Sequence, residues 1–379
     1  MNDPIHIALP SIGEEEWHAL REPIESGWLT QGPKVVLFEK QFADAHATKH
    51  ALATTSCTTG LHLALAAIGI GEGDEVIVPA FSWVATANVV LYCGATPVFV
   101  DVEKTTFNID PNLLKEKVTP RTKAIIAVHL FGLCADIDSI KAAAPGITIV
   151  EDAACAAGSS YKGHWAGGLG DIASFSFHPR KSITTGEGGM VTTNSDELAE
   201  RMNQMRNHGA SISEEQRHHG PKPYILPDFN LLGFNYRMTD LQGAVGIVQL
   251  SKLNAFITER AKWATWYREQ LADVEWLRLP KEPEKGRHGW QSFVTVVDPE
   301  KAPTTRNEIM DRLQKSAVST RPGTHAIHML GLYRDKYGFI DSDFPIAKDC
   351  DANSMAIPLH NRMVEDDYKR VVKAIKEIR

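Results

Sequence analysis

No apolar stretch in this chain is long enough to span a bilayer, and Met1 to Ser11 lack the basic-then-apolar order of a secretory leader. The chain is therefore expected to work in the cytoplasm, away from membranes. Basic charge is in deficit as well: the formal net charge is −7, which leaves no electrostatic footprint for nucleic acid. Cysteine is sparse. The five residues (Cys57, Cys93, Cys134, Cys155 and Cys350) are odd in number and widely spaced, with no CxxC pair. That argues against a disulfide framework and a zinc site, and predicts no metal. Internal repeats and low-complexity tracts are missing too. What is present is an ordinary globular composition, 43% hydrophobic and 23% charged. A chain of 379 residues is too long for one small core and suits two domains.

From Cys57 to about Leu250 short β-type runs alternate with helix-type runs. Asp74–Ala80, Thr96–Val102, Thr122–Leu130 and Ile147–Asp152 are rich in Val and Ile, as strands buried in a parallel sheet are. Ser82–Tyr92, Pro111–Val118 and Asp136–Ala144 read as the crossover helices between them. Asp171–Phe177 and Met190–Thr193 add two strands, followed by a helix over Ser195–Arg206. This alternation predicts an α/β sheet covered on both faces. Met238–Arg260 is a long helix-type segment expected to lead out of the large domain. Beyond it a strand (Val294–Val297) and two helices (Thr305–Ser316, Glu365–Ile378) suit a smaller α+β domain. The expected division is 1–250 and 251–379.

Three places carry unusual polar cargo. The strand at Ile147–Val150 runs into Glu151-Asp152-Ala153-Ala154-Cys155, and the strand at Asp171–Phe177 runs into His178-Pro179-Arg180-Lys181 and a Thr-Thr-Gly-Glu-Gly-Gly tail. Thr54 to Thr59 precede a strongly apolar helix, where small hydroxyl residues both cap the helix and present N–H groups to an anion. In open α/β sheets ligands bind at the carboxyl ends of strands. Together these segments hold the parts a phosphorylated aromatic aldehyde needs: an amine for an imine, a carboxylate for a pyridine nitrogen, donors for a phosphate, and an aromatic face in Trp83. Each part alone also has a plain reading. Lys181 could be a solvated charge, Asp152 and the Ser/Thr cluster could be caps, and Trp83 could be core.

The segments SFHPRKSITTGEGGMV, EDAACAAG, GFNYRMTDLQGAVGIVQL, PAFSWVATANVVLYCGATPVFVDV and LPSIGEEEWHALREPIESGWLTQGP resemble, in order and over nearly the whole chain, the DegT/DnrJ/EryC1/StrS family of sugar aminotransferases. The resemblance implies a fold-type I pyridoxal-phosphate (PLP) transferase, with a large, mostly parallel three-layer α/β/α domain and a smaller α+β domain. It implies that Lys181 is the Schiff-base lysine, that Asp152 pairs with the pyridine nitrogen, and that Ser176, Thr58 and the backbone at Cys57 hold the phosphate. Trp83 would stack on the ring. Asn235, with Arg237 near it, would reach the cofactor of a neighbouring subunit, making a homodimer with shared sites. A free lysine titrates near ~10.4; burial beside a cationic ring is expected to lower Lys181. Two departures stand out. Cys57 replaces the usual glycine of the phosphate turn. Cys155 replaces a glutamine or histidine that would donate to the cofactor's phenolic oxygen, and a thiol donates weakly.

The implied reaction moves an amino group from an amino acid, glutamate by analogy, to a keto sugar, nucleotide-linked in most relatives. Some relatives carry histidine in place of the lysine and dehydrate sugars. Here lysine fills the lysine slot, which argues against dehydration and leaves His178 as a packing neighbour. A regulatory protein that only binds PLP or a sugar is the third reading, but no helix-turn-helix module with basic flanks is evident. Candidate acceptor contacts are Trp28 to Gln31 with Thr30 foremost, Arg206-Asn207-His208, Arg217-His218-His219, Arg321 to His325 with Arg321 preferred for a diphosphate or carboxylate, and His328.

Overall fold

The computed structural model describes residues 3–212, 224 and 226–379. Its centre is a seven-stranded sheet in the order His50–Thr54, Gly189–Thr193, Ile172–Ser176, Thr148–Asp152, Thr122–Val128, Glu75–Pro79, Thr96–Val100. The last five run parallel, whereas Gly189–Thr193 is antiparallel to both its neighbours. Successive side chains along a strand face opposite layers. Val76 and Val78 accordingly join one buried cluster, with the helices Cys57–Ala67 and Ala85–Tyr92, while Ile77 joins another with the helix Pro33–His46. Ala124, Ile126 and Val128 divide from Ile125 and Ala127 in the same way. This is a three-layer α/β/α arrangement. A second, antiparallel sheet carries Leu277–Arg278, Phe293–Val297, Ser354–Ile357 and Arg321–Pro322.

Three expected elements differ. Pro111–Val118 is one 3-10 turn, Pro111–Leu113, rather than a crossover helix. Asp110 caps it through the Asn112 N–H, but Pro120 follows closely and biases the preceding residue away from helical angles. The helix expected from Ser82 begins at Ala85, because Phe81–Ser82 is a short strand paired with His325–Ala326. Trp83 thus leaves the helix and its apolar face. The long helix runs unbroken from Asp240 to Gln270, capped by Thr239, whose side chain accepts the Gln242 N–H. Its first half packs with the sheet layer through Leu250, Leu253 and Ile257; its second half, through Trp263, Ala264 and Tyr267, enters the C-terminal core, which Ile5 also joins. Residues 250–251 therefore lie inside one continuous helix.

Candidate active site

The register of the sheet assembles the site. Asp152 pairs with Ser174, Ser176 with Gly189, and Gly189 with Thr54. The carboxyl ends of the parallel strands and the turn after Thr54 therefore share one edge. Ser56 caps the helix Cys57–Ala67 by accepting the Thr59 N–H at 3.1 Å. The N–H groups of Cys57 and Thr58, in the helix's first turn, have no intrahelical partner and point outward. Thr58 is half-buried. Ser174 ties this turn to the sheet: its Oγ donates to the Cys57 carbonyl at 3.1 Å, and its carbonyl accepts from Cys57 Sγ at 3.4 Å. A Cβ on Gly189 would stand 2.4 Å from the Ser56 carbonyl carbon and 2.6 Å from the Cys57 nitrogen. That is why the tail after Lys181 ends in glycine. Cys57 occupies the turn itself without such crowding, with its side chain turned into the core.

Asp152 is buried. One carboxylate oxygen accepts from Thr86 Oγ1 at 2.8 Å and the other from the Ala154 N–H at 3.2 Å, so the side chain is fixed. Thr86, fully buried, also meets Ser82 Oγ at 3.0 Å. It was not foreseen, although a hydroxyl inside the apolar run Val84–Val90 is the signal that could have found it. Glu151 points the opposite way from Asp152. It accepts from the Gly167, Leu169 and Gly170 N–H groups and meets His129 Nε2 at 2.8 Å. Burial pushes the Glu151 carboxyl up, but these donors outweigh it and hold it below its usual range.

Lys181 sits in a turn closed by its own N–H to the His178 carbonyl at 2.9 Å. Its Nζ donates to Cys155 Sγ at 3.2 Å. Burial pushes the amine down, but its surroundings, Cys155 first and then Cys57 and Asp152, outweigh that and hold it above its ordinary value. The expected lowering is therefore absent in the protein alone, since the cationic ring it presumed is a property of the cofactor. Burial, then Asp152, pushes Cys57 well up, so it stays a thiol. Cys155 has become the lysine's partner, and Ser182 Oγ beside it is buried without a hydrogen-bond partner among the described residues. His178 remains a neighbour, its Nδ1 accepting the Arg180 N–H. Ser176 is half-buried at the strand end, where its Oγ accepts the His178 N–H.

Trp83 is 61% exposed, its ring 5.6 Å from that of His325. The core reading of this residue is overturned: the indole is exposed, three positions before Thr86, which holds Asp152. Asn235 is exposed, between Phe234 and Tyr236, whose rings stack 4.9 Å apart. Tyr236 Oη meets His62 Nδ1 at 2.9 Å, so the loop is anchored on both sides of the asparagine. Asn235 does not cap the following helix, since Thr239 does. Arg237 donates to Asn207 Oδ1 at 2.7 Å, and its Nε is buried without a partner among the described residues. Thr30 is exposed, its carbonyl accepting the Asp240 N–H at 3.0 Å.

Arg321 is exposed and makes no ion pair among the described residues; its Nη1 donates to the Thr320 carbonyl at 2.9 Å. Two candidates are corrected. Arg206 is buried and committed to Glu39 (2.5 Å) and the Ala53 carbonyl (2.7 Å), a structural role. His328 is fully buried beside Phe344, ring centroids 4.8 Å apart, because the 3-10 turn Ile327–Met329 points it inward; burial pushes its pKa down. A substrate contact is not available to a ring so enclosed. Arg217-His218-His219 lie outside the described residues.

An amine, a fixed buried carboxylate and a first-turn N–H pair at one sheet edge are a donor set that fits PLP, and an exposed indole lies on the segment that leads to Thr86. Comparison with known proteins agrees. The DegT/DnrJ/EryC1/StrS aminotransferase family model matches residues 10–376. The spore coat polysaccharide biosynthesis protein SpsC of Bacillus subtilis is 39% identical, over 98% of this chain and 96% of its own. GDP-perosamine synthase of Caulobacter vibrioides is 39% identical, over 99% and 98%. A Streptococcus pneumoniae relative solved in PLP and PMP forms superposes with TM-scores of 0.91 and 0.92 at 27% and 28% identity; the PMP form is covered over 99% of its length by 100% of this chain. The chain belongs to the DegT/DnrJ/EryC1/StrS aminotransferase family and is a PLP-dependent sugar aminotransferase.

Proposed function

We propose that the protein transfers the amino group of glutamate to a nucleotide-linked keto sugar in the cytoplasm, as a homodimer with shared sites. The observation that carries this reading is the convergence of Lys181, Asp152 and the first turn at Cys57–Thr58 on one carboxyl edge of the sheet. PLP would supply the electron sink. Lys181 would attach it and later move the proton at the substrate carbon. Asp152 would hold the ring nitrogen protonated, and Trp83 would cover a face. The N–H groups of Cys57 and Thr58, with Ser176, would hold the phosphate. Cys155 would face the imine side through its contact with Lys181 Nζ. For the acceptor, Thr30, Arg237 and Arg321 are the polar groups left to recognise it, and Arg321 suits a diphosphate because no carboxylate among the described residues pairs with it. Residues 1–250 would bind the cofactor and 251–379 would close on the acceptor. A nucleotide link is supported by the relative named GDP-perosamine synthase. Mixing purified protein with glutamate should abolish the lysine–PLP absorption and release 2-oxoglutarate in equal amount. A protein that only binds PLP would do neither.

The shared site rests on Asn235. It stands exposed on a loop anchored by Phe234 and Tyr236, and Leu226 and Leu232, which precede it in the chain, are 77% and 86% exposed. Apolar side chains this bare suit a partner's surface. Lys181→Ala chains and Asn235→Asp chains should each be inactive, the second because its charge would repel the phosphate. Mixed and allowed to exchange, they should regain activity, since a mixed two-fold dimer holds one site with both wild-type residues. Exchange shown by native mass spectrometry with no gain over the parents would return Asn235 to its own subunit.

A further inference from the structure

The long helix does more than connect two halves. Gln249 lies on it, almost fully buried. Its Oε1 accepts the Thr184 N–H at 3.1 Å, three residues past Lys181. Its Nε2 donates to the Ser11 carbonyl at 2.9 Å and to Glu16 Oε1 at 2.8 Å. The amide cannot be turned round: an N–H can only donate, and a carbonyl and a carboxylate can only accept. One side chain therefore joins the lysine loop to the N-terminal segment.

Both ends of that joint are themselves fixed. Thr184 Oγ1 donates to the Phe177 carbonyl at 2.8 Å and accepts the Gly186 N–H at 3.0 Å, so a shift of Thr184 moves the Lys181 turn with it. Glu16 is buried and also accepts from the Gly13 N–H and from Lys252 Nζ. The N-terminal segment then runs through Glu14–Ala19 and Arg21–Ser26 to Trp28–Gln31. At that far end Asp240, on the same long helix, accepts the Gly32, Lys34 and Val35 N–H groups, while its own N–H donates to the Leu29 and Thr30 carbonyls. Gln242 adds a bond to the Glu187 carbonyl at 2.7 Å. The segment carrying Thr30 is thus held at both ends by the helix that also holds the lysine loop.

We infer that Gln249 is a positioning residue that couples the acceptor side of the site, at the N-terminal segment, to Lys181. The inference rests on Lys181 being the lysine that binds PLP. Misplacing a reacting group by about 1 Å can cost on the order of a hundredfold in rate, and the Thr184 bond ties the loop that follows Lys181 to the long helix. The joint has two halves that substitution separates. Gln249→Met removes both. Gln249→Glu keeps an acceptor for Thr184 but sets a carboxylate against Glu16, breaking only the N-terminal half. Combining Gln249→Glu with Glu16→Gln reverses donor and acceptor across that pair and restores the Glu16 bond, while the Ser11 carbonyl stays without its donor.

The test uses the PLP-loaded enzyme, glutamate, and an accepted keto sugar. Expected for Gln249→Met is a shifted pH midpoint of the lysine–PLP absorption and a slower glutamate half-reaction, by roughly tenfold or more. Gln249→Glu should keep the wild-type midpoint and half-reaction while raising the acceptor KM, and the double variant should bring that KM part of the way back. A residue with a merely structural role would lower the melting temperature of all three and leave midpoint, half-reaction and KM at wild-type values, which would overturn the inference. Should Gln249→Met fail to fold, Gln249→Glu and the double variant decide it alone: equal KM in both overturns the coupling. Wild-type protein without the absorption would instead overturn the role of Lys181, a separate failure.

Discussion

Lys181→Ala will carry no PLP after borohydride reduction and will lose transamination, while wild-type protein yields a single modified peptide containing Lys181. Two functions leave with one amine. On the role proposed for Lys181, the nucleophile that would attach the cofactor is gone, and so is the group that would move the proton, a general acid–base contribution of about 10²–10⁴-fold by itself. The fold should survive. The turn at Lys181 is closed by backbone, its N–H to the His178 carbonyl, and Thr184 and Thr185 are held by the Phe177 carbonyl. Lys181→Arg is the informative companion: it keeps a cation beside Cys155 and Asp152 but cannot form an imine. Equal loss in both variants identifies the amine as the essential feature. Turnover retained in Lys181→Ala would end the assignment, and a labelled peptide elsewhere would move it to another lysine.

Much of this site was legible in the sequence because strand ends and glycines leave strong marks. The continuous apolar run Ile147–Val150 fixed where Asp152 would emerge, and the Gly-Glu-Gly-Gly tail marked the lysine segment, although its close approach at Gly189 to Ser56 and Cys57 shows only in the fold. Propensity failed where tertiary partners decide. Phe81–Ser82 is a strand only because His325–Ala326 comes back from the far half of the chain to pair with it. That return is also what leaves Trp83 outside a helix and exposed. His328 read as a polar contact because nothing local distinguishes a surface imidazole from one enclosed by Phe339 and Phe344. Arg206 read as basic surface for the same reason, its partner Glu39 lying 167 positions away. The long helix was visible from its apolar spacing, but its caps and its amide joints were not. Gln249 looks like any helix glutamine until Ser11 and Thr184 are brought to it.

Asp152→Asn should leave the fold intact and lower turnover by about 10²–10³, the loss typical of removing a group aimed at developing charge. The side chain's surroundings make the substitution tolerable. One oxygen of Asp152 accepts from Thr86 Oγ1 and the other from the Ala154 N–H. An asparagine can keep its oxygen toward Ala154 and turn its amide toward Thr86, whose hydroxyl then accepts and donates onward to Ser82. What cannot be kept is the charge. A ring nitrogen that bears a proton needs an acceptor opposite it, and with that acceptor neutral the proton, and with it the electron demand of the ring, is held less firmly. The buried position strengthens the effect, since little water reaches Asp152 to screen it. Both half-reactions should slow together, because glutamate and acceptor use the same ring, and melting temperature should change little beside the rate. A loss smaller than about tenfold, or ~1.4 kcal/mol of barrier, would mean that some group other than Asp152 faces the pyridine nitrogen. Slowing confined to the acceptor half-reaction would give Asp152 a role in holding the sugar instead.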